Sequence, residues 1–277
     1  MSKIFFEGWY FKHQNKSCTV SVIPGISTSG AFIQIITNEA SYNVDFPKEQ
    51  FSQDEVIKIG KNIFSFNGIS LDIKTREFNV EGELIYRDLT PLDNDIMGPF
   101  RFLPMICRHG IISMHHKVEG QIKINGEIFK FTDGTGYIEK DSGNSFPKRY
   151  VWVQSNDFNQ KCSVMAAIAD VPFCRFQFKG VICAIHYKEK EYKISTYNGG
   201  KILRCTKEKI IIANKTLRLD VSLLEQKGLN LNAPINGKMT KIIKEVPSCS
   251  AKFKFFENNT LIFDMTSTKT SCEFVDY

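Results

Sequence analysis

The stretch SMHHKVEGQIKINGEIFKF, residues 113–131, shows the pattern on which the fold prediction depends. Met114, His116 and Val118 alternate with polar residues, and an extended strand would place these two sets on opposite faces. The pair Asn125-Gly126 favours the two positive φ angles of a type I′ turn. The stretch therefore predicts an antiparallel hairpin with one dry face and one wet face.

Period-two alternation continues through most of the 277 residues, and no window of helical length shows a convincing period of 3.6. In GAFIQII, residues 30–36, both faces are apolar, which predicts a strand covered on both sides. We predict an all-β protein of two lipocalin-like (calycin) antiparallel β-barrels or half-barrels packed together. The predicted domains are residues 1–140 and 141–277, because each half is about as long as one lipocalin-type barrel.

Composition and charge limit the partners. The net charge is +6, but basic residues are interleaved with acidic and apolar ones, so the chain is not predicted to bind nucleic acid. Weak peripheral contact with an anionic membrane surface stays open. Eight scattered cysteines and an N-terminus without a leader pattern predict buried thiols in a reducing, cytoplasmic compartment. The oligomeric state is not set by the sequence.

Two segments interrupt the alternation. Residues 90–110 contain three prolines and too little periodicity for a strand, and residues 140–149 form a second loop. Long segments without periodicity in compact domains are often lids over binding sites. The first segment is therefore the predicted lid.

Three sets of side chains are candidates for a binding site, because residues two apart on a strand point the same way. The sets are Tyr137, Glu139 and Asp141; Tyr150, Trp152, Gln154 and Asn156; and Glu7, Trp9 and Phe11. Each set combines aromatic surface with a hydrogen-bonding group. That combination predicts a pocket for a large, flat, mostly apolar ligand with a few polar anchors.

No metal and no cofactor are predicted. Cys107, His109, His115 and His116 are close in sequence, but their spacing fits no structural zinc pattern. His115 and His116 would also point in opposite directions on a strand. The nucleophile elbow, the P-loop and the dinucleotide fingerprint are absent from the sequence.

Four stretches, taken together and in order, resemble the tocopherol cyclase family. They are EGWYFK (7–12), GPFRFLPMICRHGIISMHH (98–116), GYIEKDSGNSFPKRYVWVQSNDF (136–158) and LNAPINGKM (231–239). The resemblance implies paired lipocalin-like β folds related to carotenoid hydratase-like proteins. It also implies an activity that closes the chromanol ring of a prenylated hydroquinone.

The resemblance carries over to individual positions of this sequence. These are Glu7, Trp9, Tyr10, His109, His116, Tyr137, Glu139, Asp141, Phe146, Pro147, Trp152, Gln154 and Asn156. Two positions depart from the family pattern, because Ser142 and Tyr150 stand where tryptophan is common. Less aromatic surface there would reshape the pocket, so the substrate is not fixed by the resemblance.

As an enzyme, the protein would protonate a double bond and shield the resulting cation from water. A carboxylic acid does this only if burial keeps it neutral, so Asp141 or Glu139 is the predicted acid. Trp152, Tyr137 and Trp9 would line the cation site, and Gln154, Asn156 or His116 would orient the phenol. The predicted catalytic residues are thus Asp141, Glu139 and His116, and the other site residues are predicted to bind the substrate.

Two alternatives remain from the sequence. A lipocalin-like carrier would bind an isoprenoid or quinone without changing it, and the same acids would then serve as anchors. A structural or interaction protein would have a filled barrel with no space for a ligand. For the enzyme and for the carrier, the predicted partner is a hydrophobic small molecule.

Overall fold

The computed structural model describes residues 6–173, 176–224 and 227–277. Its regular structure within these ranges is almost entirely β-strand, with short 3₁₀ helices at Lys48–Gln50, Gly98–Phe102 and Thr196–Asn198. The strands are β1 Phe6–Gln14, β2 Thr19–Ser27, β3 Gly30–Thr37, β4 Ser41–Phe46, β5 Phe51–Gln53, β6 Ile57–Ile59, β7 Asn62–Ser65, β8 Gly68–Lys74, β9 Asn79–Arg87, β10 Cys107–Ile124 and β11 Glu127–Gly143. They continue with β12 Tyr150–Ser155, β13 Cys162–Phe173, β14 Phe176–Tyr187, β15 Lys190–Lys193, β16 Lys201–Cys205, β17 Lys209–Ala213, β18 Leu217–Leu223, β19 Leu229–Ile235, β20 Lys238–Glu257 and β21 Thr260–Val275.

The first sheet is antiparallel, with the strand order β4-β3-β2-β1-β11-β10-β9-β8-β7-β6-β5. The hairpin predicted from residues 113–131 joins β10 to β11, with Ile124 opposite Glu127. Asn125 and Gly126 have φ angles of 50° and 91°, which confirms the predicted turn. Lys117, Glu119, Gln121 and Lys123 on β10 are exposed, whereas Met114, His116, Val118, Ile122 and Ile124 are buried.

Strand β3 is covered on both sides, as the sequence predicts. Ala31, Ile33 and Ile35 belong to the apolar core of the first sheet. Ile36 belongs to a second apolar cluster on the opposite face. Burial on both faces explains why the stretch reads as a continuous apolar run.

The second sheet is also antiparallel, with the order β15-β14-β13-β12-β21-β20-β18-β17-β16, and β19 pairs with β20. Val151 and Val153 of β12 point into its core. Tyr150 and Trp152 alternate with them and pack in the cluster that also contains Tyr10 of the first sheet. The two sheets therefore meet through the aromatic face of β12.

The hairpin β19–β20 reaches back to the first sheet. The side-chain amide of Gln34 donates to the Asn232 carbonyl at 3.0 Å, and its oxygen accepts from the Asn232 backbone N–H at 2.8 Å. The backbone N–H of Thr28 donates to the Gly237 carbonyl at 2.9 Å. The hairpin holds Leu231 and Pro234 against the space between the sheets.

The boundary proposed between residues 140 and 141 falls inside β11, which runs to Gly143. Strands β1–β11 belong to the first sheet and strands β12–β21 to the second, so the chain changes sheets between Gly143 and Tyr150. The division into two domains stays a prediction.

Seven cysteines are free thiols, of which Cys162, Cys183, Cys249 and Cys272 are buried, while Cys18, Cys107 and Cys205 are half-buried. Cys174 lies outside the described residues, as do the first five residues of the N-terminal stretch used to judge a leader. Among the described residues, no helix has the length and apolar character needed to cross a bilayer.

Candidate functional site

A cavity of about 180 Å³ lies between the two sheets. The first sheet contributes residues of β1, β3 and β11 to its walls, and the second contributes residues of β12, β13 and β14. Ala167 and Ala169 on β13 face the space left beside Trp152 and Tyr150, their strand partners. Since one buried water needs about 10–15 Å³, the cavity has room for roughly a dozen or more non-hydrogen atoms.

The walls are mainly aromatic and aliphatic. Tyr10 meets Trp152 edge to face, with ring centroids 5.4 Å apart, and Phe146 meets Tyr150 in the same way at 5.8 Å. Phe178 of β14 lies on another part of the wall. Such a lining suits a hydrophobic ligand that is oriented by few polar groups.

The segment predicted to be a lid forms part of this wall. Met97, Phe100 and Met105 line the cavity, and the 3₁₀ helix Gly98–Phe102 lies between the first and the last of them. The ring of Phe100 packs against Phe178 at 6.0 Å and against Tyr197 at 6.1 Å. The segment thus closes one side of the cavity against the second sheet.

Glu139 is a buried carboxyl on the cavity wall, with 5% of its surface exposed. Its Oε2 accepts hydrogen bonds from the Tyr137 hydroxyl at 2.5 Å and from the Trp152 indole N–H at 3.1 Å. Burial raises the pKa of Glu139 to about 7, against the opposing effects of His109 and of these hydrogen bonds. Near neutral pH a substantial fraction of Glu139 is therefore a neutral acid.

His109 bridges Glu139 and Asp141. Its Nδ1 lies 3.0 Å from Asp141 Oδ1, and its Nε2 lies 3.4 Å from Glu139 Oε2. Burial by itself lowers the pKa of His109, but the negative charges of Glu139 and Asp141 outweigh it and raise the pKa to about 9. At neutral pH the ring is therefore an imidazolium. Such a cation stabilises Glu139 when that residue loses its proton.

The group His109, Glu139 and Asp141 has a composition that could hold a divalent metal ion, with one ligand atom of each residue within 4.8 Å of the others. However, the two carboxylates approach different nitrogens of the imidazole ring, which is the geometry of an ion-paired triad. A metal would occupy only one of these nitrogens. The absence of a metal stays a prediction.

A second tyrosine and glutamate pair lies on the other side of Trp152. Tyr150 of β12 donates a short hydrogen bond to Oε2 of Glu273 on the neighbouring strand β21, and both residues line the cavity. Burial, followed by the charge of Glu245, raises the pKa of Glu273 well above its usual range. Both effects favour the protonated form of Glu273.

A third pair lies behind the wall. Tyr10 lines the cavity and donates to Oε1 of Glu245 at 2.5 Å, while the Ser21 hydroxyl donates to Tyr10 Oη at 2.8 Å. Glu245 is fully buried, and its pKa is raised to about 7, mainly by burial, with Tyr10 and Lys12 opposing. Lys12 is fully buried as well, which lowers its pKa to about 7 although the charge of Glu245 opposes this.

Nine of the residues named for the site from the sequence line the cavity, whereas Glu7, Phe11, His116, Tyr137, Gln154 and Asn156 do not. The nine are Trp9, Tyr10, His109, Glu139, Asp141, Phe146, Pro147, Tyr150 and Trp152. Tyr137 lies behind Glu139 as its hydrogen-bond donor. Glu7 pairs with the Lys140 ammonium group, which lies 4.8 Å from the centre of the Trp9 ring.

His116 is placed away from the cavity. It packs against Tyr86 at 4.7 Å, its Nδ1 lies 3.2 Å from Ser113 Oγ, and it is fully buried within the first sheet. Burial lowers the pKa of His116 to about 3, so the ring is neutral. The structure does not bring this residue to Glu139 or Asp141, because its face of β10 points into the body of the first sheet.

Gln154 and Asn156 continue the line of contacts between β12 and β1. Gln154 Oε1 accepts from the Lys12 ammonium group at 2.9 Å, and Asn156 Oδ1 accepts from the Gln14 amide at 2.7 Å. Neither residue lines the cavity. Strands β11 and β12 belong to different sheets, and they meet through the contact between Glu139 and Trp152.

Glu245 and Glu273 were not predicted from the sequence. The sequence contains a signal for both. Each acid is two residues from a buried apolar residue of the same strand, Ile243 for Glu245 and Val275 for Glu273, so it lies on the same face as that residue. The two glutamates are directly opposite each other on the antiparallel strands β20 and β21. An acid on a buried face needs a partner, so such a position marks a candidate functional residue.

The comparisons with known proteins agree with this architecture. The sequence profile of the family described as "Tocopherol cyclase-like" matches residues 76–274. The chain therefore belongs to the tocopherol cyclase-like family. A protein described as a probable chloroplastic tocopherol cyclase, from Oryza sativa subsp. japonica, is 27% identical over 118 residues. That match covers 40% of this chain and 25% of the rice protein.

Solved structures share the fold over almost the whole chain. CghA with Sch210972 matches with a TM-score of 0.65 and 8% identity, covering 98% of this chain and 88% of the other. Kievitone hydratase from Nectria haematococca matches with a TM-score of 0.59 and 9% identity, covering 97% and 89%. At these identities the likeness shows the fold alone, and it confirms the predicted all-β class of two lipocalin-like antiparallel sheets.

Proposed function

We propose that this protein is an enzyme that closes an oxygen-containing ring in a prenylated phenol, quinol or related isoprenoid, starting with protonation of a double bond. The single observation that carries the proposal is the environment of Glu139. It is a buried acid in an aromatic cavity, and both of its hydrogen-bond donors are on Oε2. Oε1 is then the oxygen that presents the acidic proton to the cavity.

The first step transfers the Glu139 proton to one carbon of a trisubstituted double bond. The π electrons form the new C–H bond and leave a tertiary cation on the other carbon. The Glu139 carboxylate that results is stabilised by Tyr137, Trp152 and the His109 imidazolium. Proton transfer by a positioned residue typically contributes 10²–10⁴-fold to a rate.

The second step traps the cation. A lone pair of the phenol oxygen forms the C–O bond, and the phenolic proton leaves to a base. Trp152, Tyr10 and Tyr150 present aromatic surface to the cavity, and such rings stabilise a desolvated cation by about 2 kcal/mol. The apolar walls also exclude water, which would otherwise intercept the cation.

The comparisons support this class of chemistry. The names of the family and of the rice relative contain the word cyclase, which denotes ring closure, and one protein of the same fold is named a hydratase. Ring closure and hydration of a double bond share protonation as their first step, and they differ in whether an internal hydroxyl or water traps the cation. The apolar cavity favours the internal hydroxyl.

The test is turnover of a prenylated hydroquinone in D₂O, followed by mass spectrometry of the product. We expect a cyclised product that carries one deuterium on carbon. Glu139→Gln should lower kcat at least about 100-fold while binding is retained, because the amide keeps the shape but supplies no acidic proton. Glu83→Gln, at an exposed carboxyl on β9, is the matched control.

Two outcomes would reject the proposal. A wild-type protein that binds the hydroquinone and returns it unchanged would be a carrier. Unchanged turnover in Glu139→Gln would show that this carboxyl is not the acid.

A further inference from the structure

Four carboxyl groups and two cationic groups lie close together at the cavity and behind Tyr10. The carboxyls are Glu139, Asp141, Glu245 and Glu273, and the cations are His109 and Lys12. Asp157 interacts with Lys12, and Asp95 interacts with His109, from outside this group. Full ionisation would leave uncompensated negative charge in a desolvated space, which is strongly unfavourable. The group therefore retains protons at neutral pH.

The geometry indicates where these protons lie. Glu245 and Glu273 are directly opposite each other on β20 and β21, so both cannot be charged without repulsion. Glu273 accepts from Tyr150, and among the described residues no cation contributes to its pKa, whereas Glu245 interacts with Lys12. The arrangement favours a neutral Glu273 and a Glu245 that exchanges a proton with its surroundings.

Tyr10 connects Glu245 to the cavity. Its ring lines the cavity beside Trp152, and its strand partner across β1 and β11 is Glu139. Because the Ser21 hydroxyl donates to Tyr10 Oη, the Tyr10 proton is directed to Glu245. Glu245 is fully buried, and among the described residues its Oε2 has no hydrogen-bond partner. A carboxylate in this state is an acceptor ready for a proton.

We propose that Tyr10 is a second catalytic residue, which takes the hydroxyl proton of the substrate while it passes its own proton to Glu245. This inference rests on the function proposed above and restricts the substrate to molecules with a free hydroxyl at the cyclising oxygen. One proton goes from Glu139 to carbon, and one goes from the substrate oxygen through Tyr10 to Glu245. The ring closure is therefore an isomerisation. After the product leaves, the proton on Glu245 passes back through Tyr10 to solvent that enters the emptied cavity, and Glu139 takes a proton from that solvent.

Lys12 and Glu245 are positioning residues in this scheme, because they act through Tyr10. Lys12 is fixed by Gln154 at 2.9 Å and by the Lys269 carbonyl at 2.7 Å, and its charge favours the ionised form of Glu245. This gives Gln154 an indirect role, through Lys12.

The experiment uses two probes in D₂O with the full-length protein. One is a prenylated hydroquinone, and the other is the same molecule with the hydroxyl beside the prenyl chain converted to a methyl ether. The ether cannot close the ring, but Glu139 can still protonate its double bond and remove a proton again, which exchanges hydrogen for deuterium. Cyclisation thus reports both proton transfers, and exchange reports Glu139 alone.

For Tyr10→Phe we expect kcat for cyclisation to fall at least about 100-fold, while deuterium exchange into the ether keeps the wild-type rate. Tyr187→Phe is the matched control, because its hydroxyl bonds Gln160 at 3.0 Å within the second sheet, and both rates should be unchanged. Glu245→Gln should behave like Tyr10→Phe and should also remove the acidic limb of the pH profile for cyclisation. The groups that interact with Glu245 are Tyr10, Lys12, Glu139, Cys272 and Glu273.

The outcomes separate the two proposals. If the wild type neither cyclises the hydroquinone nor exchanges the ether, the proposed function fails. If the wild type does both and folded Tyr10→Phe cyclises at the wild-type rate, only the role of Tyr10 is rejected. Loss of both reactions in folded Tyr10→Phe would also reject it, since Tyr10 would then serve the shape of the cavity. If Tyr10→Phe does not fold, the same comparison on Glu245→Gln decides.

Discussion

The indole N–H of Trp152 donates to Oε2 of Glu139 at 3.1 Å, although the two residues belong to different sheets. The bond joins the acid of the first sheet to the aromatic wall of the second. It also stabilises the charged form of Glu139, so it lowers a pKa that burial raises.

Trp152→Phe keeps an aromatic ring but removes this donor. The pKa of Glu139 should rise, because a hydrogen bond to a charged group contributes about 1.5 kcal/mol or more, which corresponds to roughly one pH unit. Since the proposed mechanism uses the protonated form of Glu139, the alkaline limb of the kcat profile should move to higher pH. A pH profile of the variant measures this, and a limb that stays in place or moves to lower pH would contradict it.

His109→Gln should reduce stability in a pH-dependent way. The pKa of His109 is raised from 6.5 to about 9 in the folded protein. A raised pKa of this kind contributes stability that is fully present below pH 6.5 and is lost as the pH rises through 9. The difference in unfolding free energy between wild type and variant should therefore be largest near pH 6 and shrink by at most roughly 3 kcal/mol toward pH 9. Urea unfolding across this range provides the measurement.

Ala167→Phe should fill the cavity. Ala167 faces the cavity beside Trp152, and a phenyl ring would occupy much of the 180 Å³. Binding of a prenylated hydroquinone should be lost while the fold and the melting temperature are largely kept. Ala213→Phe, at a half-buried position on β17 away from the cavity, should bind like the wild type. Equal binding by both variants would place the ligand elsewhere.

Activity should not depend on a metal. His109 is held between two carboxylates through different ring nitrogens, and the proposed steps use only protons and aromatic surface. Dialysis against EDTA should leave the turnover number unchanged, and elemental analysis of active protein should find no stoichiometric transition metal. A loss of activity that is restored by one divalent ion would contradict the proposed mechanism and favour a metal at His109, Glu139 and Asp141.

Purified protein should carry a hydrophobic molecule when it is made in cells that contain one. The aromatic and aliphatic walls at Phe100, Phe146 and Phe178 offer few hydrogen-bond partners to water, so water is expected to fill the space poorly. Native mass spectrometry should show an adduct that disappears in Ala167→Phe. Identical spectra for the two proteins would argue against a ligand in this cavity.

Much of the fold follows from local patterns. The alternation in residues 113–131 predicts the hairpin β10–β11, because a period of two and an Asn-Gly turn are properties of neighbouring residues. The double burial of β3 follows from its continuous apolar run in the same way. The contact between Glu139 and Trp152 is less local, and the sequence indicated only that both would point toward one chamber.

Other parts of the site could not be predicted, for physical reasons. Most of β1 is buried on both faces, so alternation does not show that Tyr10, and not Phe11, meets the acids of the second sheet. Glu245 and Glu273 lie on β20 and β21, which are far from β1 and β11 in the chain and belong to the other sheet. The contacts of these glutamates with the first sheet therefore depend on how the two sheets pack. Histidine is a common catalytic residue, but the register of β10 turns His116 into the body of the first sheet.

The small side chains of Ala167 and Ala169 come from one sheet, and the acid Glu139 comes from the other. Selection can therefore act on them separately. Replacements along β13 would change the size of the molecule that is accepted, while Glu139, the proposed proton donor, keeps its surroundings. Descendants of one ancestral gene could in this way acquire new substrates without rebuilding their chemistry.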